Sequence, residues 1–466
     1  MKLSLQQGVI FFILTINILT NYSVSTKIAI IGSGIGGTHT AYLLSKKNSE
    51  SEIHLFEQNT KAGGRINSVI IGDEYDELGA GFFITENQIL NNLVKELKIP
   101  LKDPQVDKSI GMWNGDKALQ FTVGNYFLLN IPKLIYRYGM SLFWAKKNID
   151  KNLSEFMRIY PELEKGNSFK SLGSLLSFWK LKELIHQSFE DYLIKEGFNR
   201  FYINEMLSCV IAGIYNQNVN FNGFAGMVTL ASMFGTPNSI KGGNYIIIER
   251  MIEALTKSNK FKLSLNTKVT EIEKLVNGKF SVKTNTGLVE EFDTVVIAAP
   301  LLKTDIEFKN IELKSNIRPK NFQRTHVYYI RSELKYERFG LCDYSEVPWA
   351  IMSMNKLKTD ISEFLKMEKD LYKVQSDTKL SEEELSEYFI KPNILVYKDW
   401  LYAYPKLDVM KDEELPDFVI DNNLYHVNAI ETAASAMELS LISSKNIVNM
   451  IVGGNATANK DKKVDL

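Results

Sequence analysis

The sequence predicts an α/β fold in which a Rossmann-type dinucleotide-binding domain is interleaved with an α+β domain. Three observations carry that reading. Near the start, an apolar strand runs into Gly32-Ser33-Gly34-Ile35-Gly36-Gly37 and a helix, and a second strand then ends in an acid. A second glycine pair, Gly63-Gly64, stands directly before Arg65. Near the far end, a short strand leads into a run of small residues and a further helix.

Lys27 to Ile31 (KIAII) is apolar and β-branched, which suits a strand buried on both faces. Thr38 to Lys46 reads as helix and Glu52 to Phe56 as the next strand, with Glu57 lying 20 residues beyond Gly37. Gly32 allows the tight turn, Gly34 lets the backbone approach a pyrophosphate, and Gly37 lets helix and strand pack closely. The helix N-terminus offers unpaired N–H groups to phosphates, and Glu57 would accept hydrogen bonds from ribose hydroxyls. Glycines alone would also fit a turn without a ligand. Strand, helix, second strand and terminal acid together favour the dinucleotide.

Further along, Lys241-Gly242-Gly243-Asn244 precedes an apolar helix through Leu255. Thr267 to Ile272, Lys279 to Thr284 and Asp293 to Pro300 read as strands, the first two as a β-hairpin, and the last closes the dinucleotide domain. Asn423 to Val427 is a short strand, and the small-residue string from Asn428 to Ser440 opens a helix that runs on toward Met450. Small side chains there let a cofactor lie against backbone N–H groups, or mark a tightly packed helix. The cofactor domain is therefore discontinuous, over 26–102, 237–302 and 417–454, with a substrate domain over 103–236 and 303–416 and a charged tail over 455–466. Inside the insertion, Ile131, Leu134, Ile135, Tyr138 and Leu142 share one helical face, which serves as core, lines an apolar tunnel or rests on a membrane surface.

Composition narrows the function classes. The 466 residues carry 55 basic and 55 acidic side chains and are 45% apolar, a globular and neutral balance with no positive field to collect nucleic acid. Cys209 and Cys342 make neither a disulfide framework nor a zinc site, and whether they pair is open. No metal is expected. Residues 1–25 read as a secretory signal: Lys2, an apolar stretch of 11 residues from Val9 to Leu19, and Ser23-Val24-Ser25 at the cleavage site. The apolar run falls short of the roughly 20 residues that a membrane span needs. Sequons at Asn152 and Asn455 agree with a lumenal compartment. The end, Lys463-Val464-Asp465-Leu466, differs from the Lys-Asp-Glu-Leu retrieval type at its two middle positions, leaving endoplasmic-reticulum retention or a solvated tail.

Ala62-Gly63-Gly64-Arg65, followed by Glu77-Leu78-Gly79-Ala80-Gly81, resembles the second FAD signature of the amine-oxidase and phytoene-desaturase superfamily of GR2-like flavoproteins. That resemblance implies that Gly64 and Gly79 pass beside the flavin, that Arg65 helps with the phosphates, and that Val269 presents its backbone to the adenine. The hairpin alone would leave Val269 without a ligand role. The string YHVNAIETAASAMELS, taken with GSGIGG, KGGN, FNRFYINEM and WLYAYP, resembles the prenylcysteine oxidase family of lysosomal FAD thioether oxidases, from about Lys27 to about Ile451. The tail departs from that pattern in being shorter and more charged.

Membership would imply non-covalent FAD, a small S-prenylcysteine substrate and molecular oxygen, with no nucleic acid or protein partner and at most a peripheral membrane contact. Hydride would pass from the prenyl carbon beside sulfur to flavin N5. Water would add to that carbon, and collapse would give a prenyl aldehyde and cysteine, with hydrogen peroxide formed as the flavin is reoxidised. Because the flavin carries the hard step, no side-chain base is required. Tyr404, His426 and Glu431 are the polar candidates beside the motifs, each with a structural alternative: a wall, a satisfied buried histidine and a helix cap. Glu431 and Met437 would also touch the cofactor. Two alternatives remain at this stage, an amine oxidase or desaturase of the same superfamily and a non-enzymatic prenyl-binding escort of the Rab GDP-dissociation-inhibitor type.

Overall fold

The computed structural model describes residues 26–103, 109–116, 119–123, 127–301, 304–314, 321–354 and 360–461. The signal-like segment 1–25 and the terminal tetrapeptide 463–466 lie outside them. The first described elements are β1 (Lys27–Ile31), α1 (Ile35–Lys47) and β2 (Glu52–Phe56), so the α/β expectation is met from its first unit.

Six strands form the central sheet, in the order Val419–Asp421, Leu424–His426, Thr294–Ile297, β1, β2 and Phe261–Ser264. All neighbours are parallel except the outer pair at residues 419–426. β1 shows why a parallel strand is apolar throughout. Ile28 and Ile30 belong to the core shared with the helices, whereas Ala29 and Ile31 pack with a second sheet on the opposite face. That second sheet has four strands, in the order Val289–Phe292, Phe280–Thr284, Val269–Lys274 and Glu307–Lys309. The strands expected over 267–272 and 279–284 thus belong to it. Thr294–Ile297 sits inside the central sheet, between β1 and Leu424–His426.

A seven-stranded sheet makes the other half, in the order Phe389–Pro405, Phe322–Leu334, Leu371–Ser376, Ile361–Glu368, Ala350–Ser353, Ile110–Trp113 and Leu119–Val123. Its main core gathers Trp113, Tyr328, Phe339, Phe364 and Phe389, whereas the helices between residues 127 and 234 belong to the core shared with the central sheet and the last helix. The expected five-residue stripe does not persist as one face. The helix Phe127–Tyr138 ends before Gly139, whose φ is +59°, and Leu142 belongs to the next helix, Ser141–Met157. Leu134 and Tyr138 are buried core, whereas Ile135 is exposed. Asn152 lies within that second helix, its amide donating to the Asn148 carbonyl. Cys209 is buried and Cys342 exposed; both are free thiols.

The C-terminal helix starts later than the small-residue string suggests. Val427–Thr432 is a 3-10 turn, and the helix runs over Met437–Asp461. Between them, the Ala433 carbonyl accepts from Asn222 Nδ2 at 3.1 Å and the Ser435 carbonyl from Tyr215 Oη at 3.0 Å. Side chains from the inserted helices take acceptors that a helix would otherwise use. The helix then packs on α1, where Thr40 donates to Ser444 Oγ at 2.9 Å. Among the described residues, no helix is long and apolar enough to cross a membrane.

Candidate functional site

The loop after β1 positions one end of a cavity of about 1890 Å³. Gly37 is required by packing, because a Cβ there would lie 1.9 Å from the Gly32 carbonyl oxygen. Gly34 differs: nothing lies within 4 Å of its Cβ position, so the space beside it is open. It is also the N-cap of α1 and has no side-chain cap. The first N–H groups of that helix therefore face this open side without intrahelical acceptors. Glu57 is buried at the end of β2, where Oε2 accepts from Ser33 N at 3.0 Å and Ser33 Oγ at 2.7 Å. Its Oε1 accepts from Asn59 N at 2.9 Å and Asn59 Nδ2 at 2.7 Å. A carboxylate so held is fixed at the cavity rim before any ligand arrives.

Gly64, Gly79, Val269 and Met437 all line the same cavity. Arg65 does so too, but its guanidinium is engaged by protein groups. Nη2 is ion-paired with Glu431, and Nη1 donates to the Ala403 carbonyl and to Ser435 Oγ, each at 3.3 Å. Arg65 therefore ties the first dinucleotide unit to strand Phe389–Pro405 and to the turn before the last helix. Glu431 thus stands at the cavity wall as the counter-charge of Arg65.

Tyr404 is the one aromatic candidate at the wall. Its ring meets Tyr215 edge-on at 5.4 Å. Burial pushes its hydroxyl up to about 12, with Glu363 adding to the rise and Arg65 opposing it. His426 is a correction. It sits in a central-sheet strand, does not line the cavity, and has no hydrogen-bond partner for either ring nitrogen among the described residues. Burial lowers it to about 4, so it is a neutral structural ring.

Sequence reasoning missed the polar groups of the seven-stranded sheet. Glu363 faces Gln375 across two neighbouring strands, and Gln375 Nε2 donates to Glu363 Oε1. Lys373 lies two residues from Gln375, is buried, and donates to the Glu77 carbonyl at 2.6 Å. All three line the cavity. The signal for Lys373 and Gln375 is their period-2 spacing, legible only once the strand is known to face a cavity. Glu77 is held by Asn244 N at 2.6 Å and Ser68 Oγ at 2.8 Å, and burial raises it to about 7. Among the described residues, no cluster of His, Cys, Asp and Glu could hold a metal ion.

Residues 121–465 match the family model described as prenylcysteine lyase, and residues 30–97 match an NAD(P)-binding Rossmann-like domain. The chain belongs to the prenylcysteine lyase family. It is 28% identical over 449 residues to farnesylcysteine lyase of Arabidopsis thaliana, covering 91% of this chain and 88% of that one. Against prenylcysteine oxidase 1 of Homo sapiens the identity is 28% over 450 residues, covering 90% and 87%. The solved structure of putrescine oxidase bound to putrescine has a TM-score of 0.63 at 15% identity, covering 92% of this chain and 99% of that one. At that identity the likeness establishes shared fold alone. Membership in the prenylcysteine lyase family rests on the sequence match, which includes the turn of Glu431 and the strand of Tyr404.

Proposed function

We propose that this protein is an FAD-dependent oxidase that cleaves the thioether of S-prenylcysteines. Thioether, water and oxygen are converted to a prenyl aldehyde, free cysteine and hydrogen peroxide. Family membership supports the reading. The observation that carries it is one continuous cavity that joins the open face of Gly34 to a chamber walled by Met206, Val210, Ile214, Met352 and Tyr404.

The residues fit FAD. The uncapped start of α1 and the open space beside Gly34 suit a pyrophosphate, and Glu57 suits a ribose. Val269 offers its backbone on the adenine side, and Ala436-Met437, at the start of the last helix, suits the ring system. When bound, FAD supplies the two-electron acceptor for oxidation at the carbon attached to sulfur. The chain's own work is to bind and orient. Apolar side chains such as Met206 and Val210 hold the prenyl chain, at about 0.8 kcal/mol per buried methylene. The Arg65–Glu431 pair keeps the wall beside Tyr404 free of net charge. Tyr404, raised to about 12, keeps its proton at neutral pH and serves as a wall and hydrogen-bond donor.

We also propose that the enzyme meets its substrate at an anionic membrane surface. Tyr136, Met140, Phe143 and Trp144 are exposed together around the turn between two helices. Exposed Lys146, Lys147 and Lys151 follow along the second of them. Apolar side chains bordered by cations match lipid tails beneath acidic headgroups.

The decisive assay is peroxide release by the purified, yellow protein. Farnesylcysteine should give peroxide and one equivalent of free thiol, whereas aromatic amines and polyamines should give none. Absence of peroxide from farnesylcysteine would overturn the reading, and a colourless protein that binds the prenyl chain would point to an escort.

A further inference from the structure

We propose that Glu363 receives the α-ammonium group of the amino-acid end of the substrate; this rests on the prenylcysteine reading. Glu363 stands on strand Ile361–Glu368, is 6% exposed and lines the cavity. Gln375 holds Oε1, whereas Oε2 has no hydrogen-bond partner among the described residues. Lys373 acts on Glu363 through space only, its ammonium being bonded to the Glu77 carbonyl, and Asp76 opposes it. Burial raises the Glu363 carboxyl, as expected for a charge only partly compensated.

A Cβ at Gly213 would lie 2.5 Å from Met352 Cε and 3.2 Å from Glu363 Oε2, so the missing side chain lets the Met352 methyl and the Glu363 carboxylate stand together at the cavity wall. The neighbouring wall is Tyr404, which feels both Glu363 and Arg65. A buried carboxylate with one free oxygen is stabilised by a charge-assisted hydrogen bond from a cation. In a prenylcysteine the ammonium is separated from sulfur by two carbons. Fixing the ammonium at Glu363 therefore places the thioether against the Tyr404 wall and directs the hydrocarbon tail into the apolar chamber. Lys373 adds a positive field on the same side, suited to the carboxylate of the same amino acid.

The test compares binding of farnesylcysteine with 3-(farnesylthio)propanoic acid, which lacks only the amine, by calorimetry on the flavin-loaded protein. The native chain should prefer farnesylcysteine by roughly 30-fold or more. Glu363→Gln should lose that preference while holding the desamino compound within about threefold of its native affinity. Glu363→Asp, which keeps the charge, should retain part of it. Equal affinity of the native protein for both compounds overturns the proposal whether or not the variants fold, as does an undiminished preference in Glu363→Gln; either leaves the oxidase reading standing. Failure to bind both compounds, with no peroxide formed, overturns the oxidase reading and this proposal with it.

Discussion

Arg65 and Glu431 stand 366 positions apart in sequence and form an ion pair at the cavity wall. Glu431 is buried and Arg65 is partly so, which makes removal of one partner worse than removal of both. Arg65→Met should cost about 2–3 kcal/mol in urea denaturation, because Glu431 is left buried without its cation. The double variant Arg65→Met/Glu431→Met should recover at least half of that loss. Simple additivity of the two single losses would show that the pair is not coupled.

Gly34 and Gly37 separate ligand from fold. A Cβ at Gly37 would overlap the Gly32 carbonyl oxygen, whereas one at Gly34 meets no protein atom. Gly37→Ala should therefore lower stability of the cofactor-free protein by about 2 kcal/mol or more. Gly34→Val should leave that stability within about 1 kcal/mol and abolish flavin retention, read as the ratio of visible to ultraviolet absorbance. A yellow Gly34→Val protein would mean that the dinucleotide does not cross this glycine.

What was legible in the sequence was what is local. The strand, glycine turn, helix and second strand from Lys27 to Phe56 follow one another without interruption, and each announces itself by composition. The start of the last helix was not legible, because Asn222 and Tyr215, more than 200 positions upstream, bind the Ala433 and Ser435 carbonyls. Glu363, Lys373 and Gln375 were missed for a similar reason. Their meeting depends on the register of two strands, and nothing in a stretch of Glu, Lys and Gln distinguishes a cavity from solvent. His426 shows the converse error. Its nearness in sequence to the small-residue string suggested a role, but the strand holds it in the sheet, away from the cavity.

That buried ring makes a pH prediction. The unfolded chain takes up a proton below about 6.5, whereas the native His426 ring resists it until about 4, so stability falls as pH drops through that window. Glu77 and Glu438 act in the opposite sense. Both are raised from 4.5 to about 7, so the native state holds protons that the unfolded state has released, and stability falls as pH rises through that range. His426→Leu should therefore be more favourable at pH 4.5 than at pH 7.5 by about 2–3 kcal/mol in urea titrations, with turnover at pH 7.5 unchanged. An equal effect at both pH values would mean that the ring takes up its proton in the native protein as readily as in the unfolded chain.

The exposed turn between the helices Phe127–Tyr138 and Ser141–Met157 makes the last prediction. Tyr136 is 95% exposed, and Met140, Phe143 and Trp144 are about half exposed, an arrangement that costs apolar hydration unless something covers it. Lys146 is partly neutralised by Asp150, but Lys147 and Lys151 remain on the same exposed helix. Binding to vesicles of phosphatidylcholine and phosphatidylserine should therefore combine burial of aromatic rings with a salt-sensitive term. Phe143→Ser/Trp144→Ser should lower the vesicle partition coefficient by about 30-fold or more, since each ring contributes on the order of 1–2 kcal/mol at an interface. Oxidation of a short-chain, water-soluble prenylcysteine should be unaffected, because neither residue lines the cavity. If the double variant sediments with vesicles as the native protein does, this turn is not the surface that meets the membrane.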